Sequence, residues 1–265
     1  MSGSDLWIRD LITKYGLITI IIIIFSGLIS WKWSRFRQHY FETFLLGFES
    51  ECAELTRTYK KRLFAPLEKF VSHDETLRCL GRIRILEIGV KTGNNLQYYP
   101  DGTCFIAVDW NRKLEEYLIN GDRSWQFTHI IFERFIIGDG SSLKEIPTGS
   151  VDAVVTTRSL CSTKSVSKTV SEIHRVLAPE GKYLFLEHLP DKQGSFIGWI
   201  QIILTKTKIW PIFFGGCQLN SDPTKYITKY GFKDMKWENI TLQGYVSQPH
   251  HLLLTRHHII GSATR

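Results

Sequence analysis

The stretch Ile83-Arg-Ile-Leu-Glu-Ile-Gly-Val-Lys-Thr-Gly-Asn-Asn95 decides how the chain is read. Ile83, Ile85, Leu86 and Ile88 form an apolar, largely β-branched run that stops at Gly89, with a second glycine at Gly93. This pattern predicts a buried strand that enters a glycine-bearing turn and then a helix. Such a turn lets backbone N–H groups approach a ligand closely, with the positive end of a helix dipole behind them. Glu87 is the odd residue, an acid inside an apolar strand. Burying a carboxylate without partners is costly, so Glu87 is expected to bind something.

Three readings of this loop stay open on the residues alone. A dinucleotide-binding turn carries G-x-G-x-x-G with its acid about 20 residues on; here only Gly89 and Gly93 are present and the acid precedes them. The spacing instead resembles the first motif of S-adenosylmethionine-dependent methyltransferases, Glu-x-Gly-x-Gly-x-Gly, whose loop cradles the methionine end of the cofactor. The third reading is an ordinary strand–turn–helix with a capping acid.

The following segments repeat the theme. Leu96–Pro100 reads as a short helix closed by proline, and Cys104–Asp109 as a second apolar strand ending in an acid. Asp109 falls where an α/β fold places a carboxylate for the ribose hydroxyls, and it can also cap the next helix, Arg112–Leu118. Phe132–Ile137 predicts a third strand, followed by Gly138-Asp139-Gly140, where methyltransferases contact the adenine amino group. Val151–Thr157 and Tyr183–Glu187 predict the fourth and fifth strands, and Met235–Leu242 with Leu252–Thr255 an antiparallel pair completing the sheet. Strand, turn and acid recur in methyltransferase order. The expected fold is a Rossmann-like α/β sheet, mostly parallel with an antiparallel last strand, and the expected cofactor is S-adenosylmethionine. Its binding residues are expected to be Glu87, Gly89, Val90, Lys91, Gly93, Asp109, Trp110, Asp139, Gly140 and Arg158.

A chain of 265 residues, 43% hydrophobic, has room for one substantial α/β domain and an appendage. Its formal net charge of +7 suggests an anionic neighbour, either nucleic acid or a phospholipid surface. Tyr15–Trp31 is uncharged and contains five consecutive isoleucines, Ile20 to Ile24. Leu11 and Ile12 can lengthen it by a turn while Lys14 snorkels. Trp7, Trp31 and Trp33 resemble interfacial anchors, and Lys32, Arg35 and Arg37 place the following domain on the cytoplasmic side. The membrane flank explains part of the basic charge, and no aromatic-interleaved basic strand set is visible, which argues against nucleic acid. The expected division is 1–37 as a membrane anchor, 38–81 as a helical connecting segment and 82–265 as the catalytic domain. Within the connector, Phe41–Phe70 carries Phe44, Leu45, Phe48, Leu55, Tyr59, Leu63 and Phe64 at helical spacing.

The acceptor side is read from the later strand ends. Ser159-Leu160-Cys161-Ser162 would wall the pocket, with Ser162 or Thr163 capping the next helix. His188, after Glu187 at the end of the fifth strand, is the acid–base candidate. Ser195–Gly216 is densely apolar and aromatic, which suits a lipophilic acceptor or a second membrane contact. The five cysteines contain no C-x-x-C pair, and His250-His251 and His257-His258 lack metal-site spacing, so no metal is assigned.

Taken together, the membrane anchor, Lys61-Arg62-x-Leu-Phe, Leu-Glu-Ile-Gly-x-x-Thr-Gly-x-Asn with Tyr99-Pro100, Leu160-Cys161-Ser162, Glu187-His188, and Trp210 with Gly216-Cys217-x-Leu219 resemble the methyltransferase-like 7 group. The similarity covers nearly the whole chain. The group comprises membrane-bound thiol S-methyltransferases of endoplasmic reticulum and lipid droplets. The resemblance implies methyl transfer from S-adenosylmethionine to hydrogen sulfide or small alkyl thiols, with Asp109 as the ribose-binding acid. One departure stands out: Lys91 replaces the motif's middle glycine. It either points outward, pairs with the cofactor carboxylate, or weakens cofactor binding. A lipid or quinone-like acceptor, and a non-catalytic membrane protein with a decayed cofactor site, are the alternative readings.

Overall fold

The computed structural model describes residues 3–119 and 127–265. The side chains of Leu11, Arg37, Phe44 and Leu45, used in the reading above, lie outside the described residues. A 62-residue helix, α1 (Gly3–Phe64), opens the chain. Within it, Ile12–Trp33 is a 22-residue stretch long and apolar enough to cross a membrane, with none of it buried. The chain forms two compact units, Met1–Thr43 and Phe44–Arg265. The helix continues unbroken to Phe64, where Pro66 directs the chain into a 3-10 turn, Ala65–Lys69.

The larger unit is built on a seven-stranded sheet. Its strands are β1 (Arg84–Ile88), β2 (Thr103–Asp109), β3 (Ile130–Ile137), β4 (Val151–Thr157), β5 (Leu177–His188), β6 (Lys233–Thr241) and β7 (His257–Thr264). The spatial order is β3-β2-β1-β4-β5-β7-β6. All neighbours pair in parallel except β7, which is antiparallel to both β5 and β6. The strand order reverses between β1 and β4, and ligands bind at the carboxyl ends of strands beside such a switch point. That places the cleft at the loop after Ile88 and the turn after Thr157.

Alternating side chains feed two cores, as a covered parallel sheet requires. Ile85, Phe105, Val155, Leu184 and Ile260 belong to one, joined by Phe48, Leu63 and Phe64 of α1. Leu86, Val108, Val154, Phe185 and Ile259 belong to the other, covered by Val170, Ile173 and Val176 of α2 (Val166–Val176). The N-cap of α2 is Ser165, whose hydroxyl accepts from Lys168 N; Ser162 and Thr163 instead lie in the preceding 3-10 turn and its cap.

The final strand differs from expectation. Leu252–Thr255 lies in a helix, Pro249–Thr255, because Pro249 presets the first helical turn while Leu252 and Leu254 turn inward. The strand is His257–Thr264, whose His-His start and internal glycine hide the β pattern. Gly261 has a packing reason: a Cβ there would stand 2.3 Å from Lys236 O and 2.5 Å from Trp237 Cβ.

Asp152 fastens the entry of the sheet. It is buried and accepts from Ser72 Oγ at 2.7 Å, His73 N at 2.9 Å and Arg84 N at 2.7 Å. Asp152→Ala would strand these donors, so thermal unfolding should show a loss of about 2–4 kcal/mol, against less than about 1 kcal/mol for a solvated surface acid.

Candidate active site

The loop after β1 is shaped by steric limits. Gly89 and Gly93 both have φ of +74°. A Cβ on Gly89 would meet Ser159 Cβ at 2.4 Å, and one on Gly93 would meet Leu118 Cδ2 at 2.8 Å. The turn therefore packs backbone-close against the turn after β4, and only glycine permits that approach. Val90 is buried beneath the loop. Asp109, the last residue of β2, ties the loop down: Oδ2 accepts from Lys91 N at 3.0 Å and Oδ1 from Asn111 N at 3.0 Å. Burial raises its carboxyl, while these N–H groups act in the opposite direction. Trp110, next in sequence, is exposed.

Glu87 has the partners its position demands. Oε1 accepts from Asn95 Nδ2 at 2.6 Å and Oε2 from Tyr99 OH at 2.7 Å. Asn95 also donates to Thr157 Oγ1 at 2.9 Å, linking the loop to β4. Burial dominates and pushes the Glu87 carboxyl up to about 7, against the Tyr99 and Asn95 hydrogen bonds and the more distant Lys60 and Lys91 charges.

Lys91 adopts left-handed φ of 49°, doing for the backbone what a glycine would. Its side chain turns to α1 and β4: Nζ lies 2.9 Å from Glu49 Oε1, 3.2 Å from Arg158 O and 3.4 Å from Thr157 O. Glu49 would be raised by burial, but Lys91 and Arg158 overcome this and hold it below the usual carboxylate range. Arg158, with φ of 52°, is not the solvated arginine of many loops. Its guanidinium stands 4.9 Å over the Phe48 ring, and Nε and Nη1 are buried without hydrogen-bond partners.

Gly140 has φ of +80°, and a Cβ there would meet Ile88 Cγ2 at 2.7 Å, so it packs against the end of β1. Both oxygens of Asp139 are engaged locally: Oδ1 accepts from Ser141 N and Oγ, and Oδ2 from Lys164 N at 2.6 Å.

At the ends of β4 and β5, Glu187 is buried and organises the adjoining turn. It accepts from Ser159 N at 3.0 Å and Leu160 N at 3.2 Å, fixing the 3-10 turn Leu160–Ser162. His188 is buried beside it, with Nε2 3.4 Å from Cys217 Sγ. Cys161, His188 and Cys217 place their ligand atoms within 4.8 Å of one another. Trp210 stacks on Phe214 with centroids 3.9 Å apart, and both pack in one apolar cluster with Cys161 and Cys217. Further out, helix α3 (Phe196–Lys206) exposes Phe196, Trp199, Ile202 and Ile203.

Sequence reasoning named Glu87, Gly89, Lys91, Gly93, Asp109, Arg158 and His188, and the fold brings them to the carboxyl ends of β1, β2, β4 and β5. It assigned no role to Asn95 or Tyr99, although an acid in a strand followed by amide and phenol groups is a readable signal. Glu49, 42 residues before Lys91, carries none.

The comparisons with known proteins agree with this geometry. Residues 86–185 match the family described as "Methyltransferase domain". The chain is 31% identical over 244 residues to human thiol S-methyltransferase TMT1A, covering 91% of each. It is 32% identical over 209 residues to rat thiol S-methyltransferase TMT1B, covering 79% of this chain and 82% of that one. Among solved structures, geranyl diphosphate C-methyltransferase from Streptomyces coelicolor, crystallised with S-adenosyl-L-homocysteine, superposes with a TM-score of 0.55 at 11% identity, over 79% of each chain. Sheet order, glycine loop and these relatives converge: the chain belongs to the thiol S-methyltransferase group of S-adenosylmethionine-dependent methyltransferases.

Proposed function

We propose that this methyltransferase transfers the methyl group of S-adenosylmethionine to the sulfur of small or lipophilic thiols, at a membrane surface. The observation that carries this reading is identity above 30% with proteins named thiol S-methyltransferases, over most of the length of both chains. The loop of Glu87, Gly89, Val90, Lys91 and Gly93 would hold the methionine end. Asp109 would take the ribose, flanked by Trp110, with Asp139, Gly140 and Arg158 around the remaining surface. The apolar Ile12–Trp33 segment supports membrane attachment, and the exposed face of α3 supports a lipophilic approach route. By resemblance to its group, the protein would sit on endoplasmic reticulum and lipid droplets with its catalytic unit towards the cytosol.

The sulfonium methyl is already activated, so the protein mainly aligns it with the incoming sulfur and excludes water. A thiol with a pKa around 8.5 is a poor nucleophile until it loses its proton. We assign His188 to that step. The test is a paired assay of full-length protein with an alkyl thiol and the matching alcohol, following S-adenosylhomocysteine release. The thiol should turn over at least ~100-fold faster, because the hydroxyl holds its proton far more tightly. Equal rates, or transfer only to a lipid or quinone-like amphiphile, would refute the thiol reading.

Cofactor affinity should depend on pH through Glu87. S-Adenosylmethionine carries net positive charge, and a cation nearby favours the ionised carboxylate. Without cofactor, Glu87 holds its proton up to about pH 7. Binding below that pH therefore releases a proton, and affinity should rise with pH up to about 7 and then level off. Titrations of wild type and Glu87→Gln across this window check the sign. The slope should flatten in the variant, and an unchanged slope would assign it to another group.

A further inference from the structure

Three short motifs that are distant in sequence converge at one point. Cys161 lies in the 3-10 turn held by Glu187, His188 ends β5 in register with His258, and Cys217 follows Gly216, whose φ is +84°. Gln218 N donates to Cys161 O at 3.0 Å, joining the two cysteine segments through backbone. The ligand atoms of all three residues lie within 4.8 Å of one another, and all three residues are buried. His188 Nε2 and Cys217 Sγ are 3.4 Å apart, and His188 Nδ1 is enclosed without a hydrogen-bond partner.

We propose that Cys161, His188 and Cys217 form a zinc site with three protein ligands and a fourth position open to the acceptor sulfur. Two sulfurs and an imidazole are a donor set that suits zinc, and three protein ligands with one open position is the arrangement of catalytic zinc. With Zn–S and Zn–N bonds of ordinary length, a tetrahedral site has edges of ~3.8 Å between sulfurs and ~3.6 Å between sulfur and nitrogen. The 3.4 Å contact is close to its edge, and the widest separation closes by no more than ~1.2 Å. Two thiolates and one Zn²⁺ sum to zero, so the buried cluster is left with no uncompensated charge. The cysteine spacing that argues against zinc in the sequence applies to sites built from neighbouring residues. This one is assembled by the ends of β4 and β5 and the residue that follows the aromatic stretch Ser195–Gly216.

Its role in catalysis rests on the thiol reading above. An incoming RSH would bind the open position as RS⁻ and release its proton to solvent, since a metal-bound thiol is deprotonated outright. A sulfur lone pair then attacks the methyl carbon, and the methyl–sulfonium bond breaks with its electron pair remaining on S-adenosylhomocysteine. The neutral thioether, a weaker ligand, departs. The balance is RSH + S-adenosylmethionine⁺ → RSCH₃ + S-adenosylhomocysteine + H⁺, with zinc unchanged in charge. His188 thus serves thiol deprotonation as a ligand rather than as a free base.

The test uses full-length protein in detergent, stripped of metal and titrated with Zn²⁺ alone and Co²⁺ alone. The expected result is about one metal per chain, with thiolate-to-cobalt charge-transfer absorption. Cys161→Ser with Cys217→Ser should weaken metal affinity at least ~10-fold while S-adenosylmethionine still binds. If that variant does not fold, the cobalt spectrum of wild type and its loss on alkylating the two cysteines decide the question. A folded, cofactor-binding wild type that takes up no metal overturns the site, as does a Cys161–Cys217 disulfide in freshly isolated protein. Thiol methylation that persists in metal-free protein overturns the catalytic role and leaves the thiol reading intact. Bound metal without turnover of any thiol contradicts the thiol reading and leaves the site standing.

Discussion

A carboxyl group sealed in the middle of a seven-stranded sheet has no water to solvate it, and the loop after β1 is built around that constraint. Asn95 and Tyr99, both downstream of the turn, reach back to the two oxygens of Glu87. Satisfying the acid therefore fixes the path of the intervening residues. Asp109 adds a second tie through Lys91 N, and the contact of Gly89 with Ser159 a third. Held from β1, β2 and the turn after β4, the loop presents backbone at the switch point with little freedom left to lose when a ligand arrives.

Lys91 shows how a broken motif keeps its geometry. The left-handed turn is retained at the cost of backbone strain, on the order of 1 kcal/mol for a non-glycine residue. The long cation leaves the loop and joins Glu49 and the carbonyl oxygens that end β4. The pair is mostly enclosed, with side-chain exposures of 19% and 15%, so removing either partner would leave a poorly solvated charge. The sequence left open an outward-pointing side chain, a pairing with the cofactor carboxylate or weakened cofactor binding; the internal pairing with Glu49 is a further arrangement that it did not signal. The catalytic unit thereby draws on the long N-terminal helix for part of its loop, since Glu49 and the Phe48 ring beneath Arg158 both come from α1.

Much of this was legible because strands buried on both faces announce themselves. Ile83–Ile88, Cys104–Asp109 and Val151–Thr157 are predominantly apolar runs closed by glycine, acid or polar turns, and each lies where its pattern placed it. The last strand escaped because His257-His258 and Gly261 carry no β signal; tight packing against β6 demands the glycine, and nothing local reveals it. Glu49 and the Cys161–His188–Cys217 cluster escaped for another reason. Their partners are 27 to 56 residues apart, and only the three-dimensional return of the chain brings them together.

The central claim is that the cleft between the Glu87–Gly93 loop and Asp109 binds S-adenosylmethionine despite Lys91. Calorimetric titration of full-length wild type and Asp109→Ala with the cofactor tests it most directly. Wild type should bind with micromolar affinity, weakened at least ~10-fold in the variant, as expected when an ionised hydrogen-bond acceptor is removed. A folded wild type that gives no binding heat, or a variant that binds as tightly as wild type, would contradict it.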